Sequence, residues 1–414
     1  MGPILPSESI ETALICAPSR GGNKIFGRTL LERLLTMCER AGVRRFFIEA
    51  SPEARAAVLP NLGRFRDQRQ VCFVESFDRL TNKTFALTPK APCLAFCGNV
   101  VFGRSHLKRV IDEHAAAPSE VVTLASRAGD PFGLLAAGPL DDLIKCLSSK
   151  GGSIARRLAS TSVDLPYALD GHRADREEAE LRVARAIREE NRATDGIMAR
   201  VFDRRLSWRI SLRLARTSIT PNHVTLANTG LGLVAALMFA STSYWVRLLG
   251  SILFVASVTI DGVDGELARL KMIESEAGRR LDVTTDNIVH VAIFAGLMAG
   301  CYRVSHNPSY ACLLLIMLGG FAACALAVKR AIGLSGKRAK QWIEQIERAT
   351  GRDFAYVLLV LAIFDSLRWF AWGAAFGTYV FAIALWVLTS IRLMPQSGAL
   401  PQRASKSGML AEEL

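Results

Sequence analysis

Apolar and polar positions divide this chain into two unlike halves. Residues 1–220 alternate short apolar runs with mixed stretches, while residues 221–395 are mostly long apolar runs with short polar breaks. In the first half "TALICAP", "RRFFIEA", "VCFVES", "CLAFCGNVVF" and "EVVTLAS" read as strands. Between and after them, "GRTLLERLLTMCERAG", "RSHLKRVIDEHAAA" and "ELRVARAIREEN" read as helices. Strands alternating with helices predict a mostly parallel α/β sheet. The second half holds six candidate membrane spans, at 224–243, 246–264, 285–303, 309–329, 354–368 and 370–392. A span needs about 20 mainly apolar residues. The second and fifth are short in purely apolar length and require a polar helix end that faces protein rather than lipid. The pattern therefore predicts an α/β soluble domain over 1–190, then an all-α six-helix transmembrane domain over 220–395, with a flexible cytoplasmic tail at 396–414.

Between the two lies an amphipathic segment, 195–219. Met198, Phe202, Leu206, Ile210 and Leu214 recur every fourth residue, and Arg205, Arg209 and Arg213 run parallel to them. That pattern suits a helix lying in the headgroup layer with its arginines on lipid phosphates; a soluble core helix is the other reading. Pro221 in "TPN" breaks the helix before the first span.

Charge sets the expected orientation. The formal net charge is +13, and half the residues are apolar. No nucleic-acid-binding signature accompanies the basic charge, so a nucleic-acid partner is not expected. The basic residues instead gather in alternate connections. Arg269, Lys271, Arg279 and Arg280 follow the second span, and Lys329, Arg330, Lys337, Arg338, Lys340, Arg348 and Arg352 follow the fourth. By the positive-inside rule this predicts a multi-pass protein of the cytoplasmic (inner) membrane with both ends in the cytoplasm. The nine cysteines are scattered; Cys93 and Cys97 lack a second ligand pair, so they read as parts of a buried strand in a reduced compartment rather than as a zinc site. The first residues show neither the basic start and apolar core of a secretory leader nor, with Pro6 at the critical position, a myristoylation signal.

The candidate chemistry sits in "TIDGVDGELARLKMIESEAGRRLDVTTDNIVH", between two apolar runs. Asp261 and Asp264 are three residues apart and Asp282 and Asp286 four, so on helices each pair shares a face. If the two helices pack side by side, four carboxylates converge and must be neutralised. A hard divalent cation such as Mg²⁺ does this, because it takes oxygen ligands and also holds phosphates. Gly265, Ala268 and Gly278 leave room for a nucleotide to approach the backbone. Helix caps or loop charges would explain any single aspartate, but not four at this spacing beside membrane-like runs.

Read as D-x2-D-G-x2-A-R-x8-G-x3-D-x3-D, this stretch resembles the signature of the CDP-alcohol phosphotransferases (the CDP-alcohol phosphatidyltransferase family) without a mismatch at Asp261, Asp264, Gly265, Ala268, Arg269, Gly278, Asp282 and Asp286. The resemblance extends over about residues 195–395. It implies transfer of a substituted phosphoryl group from a CDP-linked donor, either CDP-diacylglycerol or a soluble CDP-alcohol, to an alcohol acceptor, with release of CMP. It further implies Mg²⁺ or Mn²⁺ at a two-metal site held by Asp261, Asp264, Asp282 and Asp286, with Asp286 also the general base. Gly265, Ala268 and Gly278 would line the cytidine pocket, Arg269 would brace the aspartates or contact phosphate, and the chain would act as a homodimer. Asn222 and Thr225 match positions near the nucleotide and equally fit a helix cap. His290 either contacts the acceptor or packs as a polar residue of its span. A transporter with an acidic ion site is the remote alternative.

The N-terminal half resembles a nucleotidyltransferase (Rossmann-like) domain, most closely through "IFGRTLLERLLTMCERAGVRRFFI" and "CLAFCGNVVFGRSHLKRVIDEH". Such a domain precedes the membrane domain in the bifunctional inositol-1-phosphate cytidylyltransferase/di-myo-inositol phosphate phosphate synthase proteins. The chain departs from that family where its chemistry belongs. Only "SRGGNK", with Arg20, Gly21, Gly22 and Lys24, stands where a phosphate loop is expected. Asn99 replaces the metal-binding aspartate, and Asp170 lacks matching surroundings. The resemblance thus implies a degenerate domain, with a bifunctional enzyme as the alternative.

Overall fold

The alternation of the first half becomes a layered α/β structure in the computed structural model, which describes residues 10–16, 24–66, 70–81, 87–97, 99–124, 135–148, 155–158, 167–168, 173–192, 204–333 and 354–391. Chain order begins with β1 (Thr12–Cys16), a small ribbon of β2 (Lys24–Ile25) and β3 (Arg28–Thr29), α1 (Leu30–Arg40), β4 (Arg45–Glu49), α2 (Pro52–Val58) and β5 (Val71–Val74). It continues through β6 (Pro92–Cys97), β7 (Val100–Val101), α3 (Arg104–Ala116), β8 (Val121–Leu124), β9 (Leu135–Pro139) and α4 (Leu140–Ser148). Then come β10 (Ala155–Arg157), β11 (Tyr167–Ala168) and α5 (Arg173–Arg192). Seven strands form one sheet in the order β10-β8-β9-β6-β1-β4-β5. Its pairings are parallel except at β9, which runs antiparallel to both β6 and β8.

Side-chain alternation explains the layers. Ala13 and Ile15 of β1 join the core under α1, while Leu14 joins the opposite core with Leu140 and Leu143 of α4. Thr29 caps α1, its hydroxyl accepting from the Glu32 N–H at 3.2 Å. The expected strand "CLAFCGNVVF" is two strands, β6 and β7, separated by the turn that holds Asn99. Cys93 is fully buried in β6, and burial pushes its thiol up to about 12, so it is an inert packed group. The segments α2 and β9 carry no strong sequence pattern, whereas α4 is amphipathic, with Leu140, Leu143 and Ile144 buried. In β9 a Cβ at Gly138 would lie 2.9 Å from Val121 Cγ2, which explains a glycine inside a strand.

The second half is helical: α6 (Arg204–Ala215), α7 (Pro221–Phe239), α8 (Tyr244–Lys271), α9 (Glu276–Ser305), α10 (Ser309–Gly333), α11 (Phe354–Ile363) and α12 (Leu367–Ile391). Four of the described helices, α8, α9, α10 and α12, are long and apolar enough to cross a membrane by length and composition. The polar start "PNHVTLANT" sets α7 apart from them. The fifth expected span, 354–368, is instead the ten-residue α11 and the start of α12. Asp365 takes a left-handed conformation, φ 49°, and the Ser366 N–H returns to Leu361 O at 2.7 Å, which ends the helix. Helices α8 and α9 outrun their expected spans, so the aspartates lie on unbroken helix.

The chain forms two compact units: Met1–Asn228 with Val258–Thr285, and Thr229–Ser257 with Asp286–Leu414. The division falls inside α8 and α9, which both continue through it. In the first unit, Val224, Val263, Leu267, Leu270 and Met272 share one buried core with Leu34, Phe46, Phe96 and Val183 of the sheet layers. Glu180 of α5, 3% exposed, accepts from the Phe26 N–H at 3.2 Å and Arg216 Nε at 2.9 Å.

In the second unit helices approach closely over small residues. A Cβ at Gly296 would lie 2.1 Å from Ala236 O, and one at Gly300 2.1 Å from Phe239 O. We therefore expect Gly300→Val to destabilise the helical unit by about 1–3 kcal/mol, read as a lowered thermal-unfolding midpoint in detergent. An unchanged midpoint would mean that the helices separate at no cost.

Candidate functional site

The site is built on the end of α8 and the beginning of α9. Helical spacing puts Asp282 and Asp286 one turn apart on α9. Asp261 of α8 joins them: each of the three offers a carboxylate oxygen, and these oxygens lie within 4.8 Å of one another. All donors are anionic oxygens, a set that suits a hard divalent cation and not a soft one. Asp264 is not in this triad, although the sequence expectation has four carboxylates converge. It is 7% exposed and turned toward α7, where the Thr225 hydroxyl donates to Oδ2, and its Oδ1 accepts from the Gly265 N–H at 2.5 Å.

The residues expected around the nucleotide cluster on the same helix ends. Asn222, in the first turn of α7, stands 3.4 Å from the point where a Gly278 Cβ would be. The Arg269 guanidinium stands 3.6 Å from the equivalent point at Gly265. Ala268, one turn on from Asp264, is partly buried. Thr225 also donates to Pro221 O at 3.2 Å, a bond back onto its own helix rather than a cap. His290 packs its ring on Phe354 at 5.5 Å, among Phe254, Phe294 and Phe370. Packing is the reading this contact supports.

Two supporting groups escape a reading of the motif alone. Glu266 is fully buried and accepts from Ser207 Oγ at 3.2 Å and Ser211 Oγ at 2.7 Å. Lys271 Nζ donates to Thr217 O at 2.6 Å and Ile219 O at 2.7 Å, fixing the entry to α7. Both serine contacts add a polar strip beside the expected apolar stripe of α6, of which Ile210 and Leu214 pack against the core. Its most buried residues are Ser207, Ser211 and Ala215, whereas Leu206 of the expected apolar stripe is 53% exposed. Arg209 and Arg213 are exposed as expected; Met198 and Phe202 lie outside the described residues. A Ser-x3-Ser pair in a basic helix and a Glu inside the aspartate motif were the available signals.

The connection from α8 to α9 is a Schellman turn. Ile273 N–H donates to Ala268 O at 2.9 Å and Met272 N–H to Arg269 O at 3.2 Å. Met272 holds the left-handed position, φ 55°, that glycine usually occupies, at a cost of roughly 1–2 kcal/mol. Of the N-terminal candidates, Lys24 is exposed in β2 and Asn99 is partly buried; Arg20, Gly21, Gly22 and Asp170 lie outside the described residues.

Residues 218–391 match the model of the CDP-alcohol phosphatidyltransferase family. This part of the chain is a CDP-alcohol phosphatidyltransferase domain. The chain is also similar to proteins named bifunctional IPC transferase and DIPP synthase. It is 29% identical to that of Thermococcus kodakarensis over 40% of this chain and 37% of the relative. With that of Aquifex aeolicus the identity is 29%, over 42% and 39%, and with that of Rubrobacter xylanophilus 37%, over 26% and 24%. The chain thus spans well under half the length of the relatives that it matches. Among solved structures it is similar to phosphatidylinositol phosphate synthase of Mycobacterium tuberculosis. With CDP-DAG bound, that protein is 22% identical over 45% of this chain and 91% of the other, at a TM-score of 0.30. In apo form the identity is 24%, over 44% and 92%, at a TM-score of 0.29. All four aspartates, Asn222 and Thr225 fall inside the CDP-alcohol phosphatidyltransferase domain, whereas Ser207 and Ser211, which hold its Glu266, precede it.

Proposed function

We propose that the chain is an integral membrane CDP-alcohol phosphotransferase, moving a phosphatidyl or phospho-polyol group from a CDP-linked donor to an alcohol with release of CMP. The observation that carries this reading is the triad of Asp261, Asp282 and Asp286 inside a domain matched to the family. Two Mg²⁺ or Mn²⁺ ions held by these residues and Asp264 would neutralise the diphosphate and the departing CMP. Asp286 accepts the proton of the acceptor hydroxyl as that oxygen attacks phosphorus. The new P–O bond forms as the bond to CMP breaks, and CMP leaves with the electron pair. Asn222, Thr225, Gly265, Ala268 and Gly278 flank the cytidine, and Arg269 lies beside them to meet phosphate.

In this reading all six long or short apolar helices of residues 220–395 lie in the inner membrane, with the site and both ends cytoplasmic. The basic connections support that orientation. The protein acts as a homodimer on phospholipid or polyol-phosphate substrates. Residues 1–190 serve as a degenerate nucleotidyltransferase-like domain, a reading supported by Asn99, whose neutral amide is a poor Mg²⁺ ligand. The relatives' own name, which joins two activities, favours a second reading in which this domain also makes the CDP-alcohol.

The test is CMP release by the protein in lipid with Mg²⁺ or Mn²⁺, offering CDP-diacylglycerol and CDP-inositol separately with a panel of alcohols. Release from either donor upholds the phosphotransferase, and the productive donor decides between lipid and polyol substrates. No release from any donor overturns it. Cytidylyl transfer from CTP would establish the second reading. In the same assay Gly278→Val fills the space beside Asn222 and is expected to raise the donor KM about tenfold or more, with a smaller change in kcat.

A further inference from the structure

The turn that joins the two aspartate-bearing helices is gripped from the N-terminal sheet layers. Arg33 of α1, 6% exposed, donates Nη1 to Leu270 O at 2.5 Å. Arg40, on the same face of α1, donates Nη2 to Met272 O at 3.3 Å. Arg40 and Arg104, at the start of α3, both pair with Glu274. Three arginines from two elements thus converge on residues 270–274, between Asp264 and Asp282.

We propose that Arg33, Arg40 and Arg104 are positioning residues of the phosphotransferase centre, holding the α8–α9 turn and through it the approach of Asp261 and Asp264 to Asp282. The inference rests on the reading of that centre as metal-dependent. The chemistry of the turn explains the need. The Schellman bonds satisfy Ala268 O and Arg269 O, but the carbonyl of Leu270 has Arg33 as its donor, at the negative end of the helix dipole. The backbone at Met272 is in a conformation that a methionine rarely takes. Leu270 and Met272 pack in the buried core, but Met272 also borders a cavity lined by Arg33, Arg104, Arg269, Val183 and Ile187, so packing on that side is incomplete. Burial pushes the Arg33 guanidinium down to about 10, so it keeps its charge, and its grip, at neutral pH. Metal ligands need placement to about half an ångström, and a change of angle at this turn would displace one aspartate pair against the other.

The experiment measures Mn²⁺ binding to the full chain in detergent, by loss of the free Mn²⁺ resonance, beside the Mg²⁺ dependence of CMP release. Arg33→Gln is expected to weaken Mn²⁺ binding about tenfold and to raise the Mg²⁺ needed for half-maximal rate by a similar factor. Arg33→Lys, which keeps a charged donor, is expected to recover most of the loss. The double variant Arg40→Ala/Arg104→Ala, which alters less buried side chains, is expected to shift both quantities about threefold, and Arg44→Ala at the surface neither. Wild-type Mn²⁺ affinity and Mg²⁺ dependence in folded Arg33→Gln and in the double variant would overturn the proposal while leaving the phosphotransferase intact. Weakened Mn²⁺ binding with no CMP release by the wild type from any donor would uphold the clamp and overturn the phosphotransferase.

Discussion

Asp286→Asn is expected to lower CMP release by about three orders of magnitude or more. The amide keeps the size of the carboxylate but neither accepts the acceptor's proton nor brings a negative charge to the triad. In the proposed reaction both losses fall on the same step, because the proton would leave the hydroxyl as its oxygen attacks. Asp286 lies one turn past Asp282 on an unbroken α9, and the substitution removes no apolar contact, so the thermal midpoint should stay near that of the wild type. The rate at saturating donor is the measurement that matters. A general base lost from the chemical step lowers kcat and kcat/KM together, whereas a residue that only binds donor raises KM. A variant within tenfold of the wild type would remove Asp286 from the role of base.

Asp282→Asn and Asp261→Asn are expected to act first on the metal. Each removes one of three anionic oxygens that lie within 4.8 Å of one another. We expect Mn²⁺ affinity to fall at least about 100-fold and CMP release to fall with it, partly restored by raising the metal concentration. EDTA should abolish wild-type release, and added Mg²⁺ or Mn²⁺ should restore it. Asp264→Asn should be milder in metal binding, because that carboxylate is engaged by Thr225 and the Gly265 N–H. Equal losses at Asp264 and Asp282 would show that Asp264 turns into the metal site when substrate binds. Activity that survives EDTA would remove the metal from the mechanism.

Much of this arrangement was readable along the chain. β1, β4, β5, β8, α1 and α3 fall where the apolar alternation places them, because a strand or helix that covers a core repeats its apolar positions at the period of its own geometry. The aspartate pairs were readable for the same reason, since intervals of three and four residues on a helix bring side chains to one face. The break at Pro221 is local as well, and α7 begins at that residue. Where such short-range signals were weak, the reading slipped. The apolar run from Phe354 gave no warning that Asp365 would take a left-handed conformation and cut the helix at Ile363.

Other features have a weak local signal or none. The four aspartates look equivalent in the sequence, yet three carboxylates meet and Asp264 turns to Thr225, because the start of α7 supplies a donor there. The basic helix α6 packs Ile210 and Leu214 of its apolar stripe against the core, but its most buried positions are Ser207, Ser211 and Ala215, because the carboxylate of Glu266 on α8 needs donors there. Arg33 looks like one more surface arginine of an amphipathic helix until Leu270 O lies 2.5 Å from it. Periodicity and spacing are properties of neighbours in the chain, so they decided which elements form and which side chains share a face. A hydrogen bond between residues 33 and 270 exists only after the whole chain has packed, so the partners of each buried charge, and with them the shape of the site, were settled by the tertiary fold.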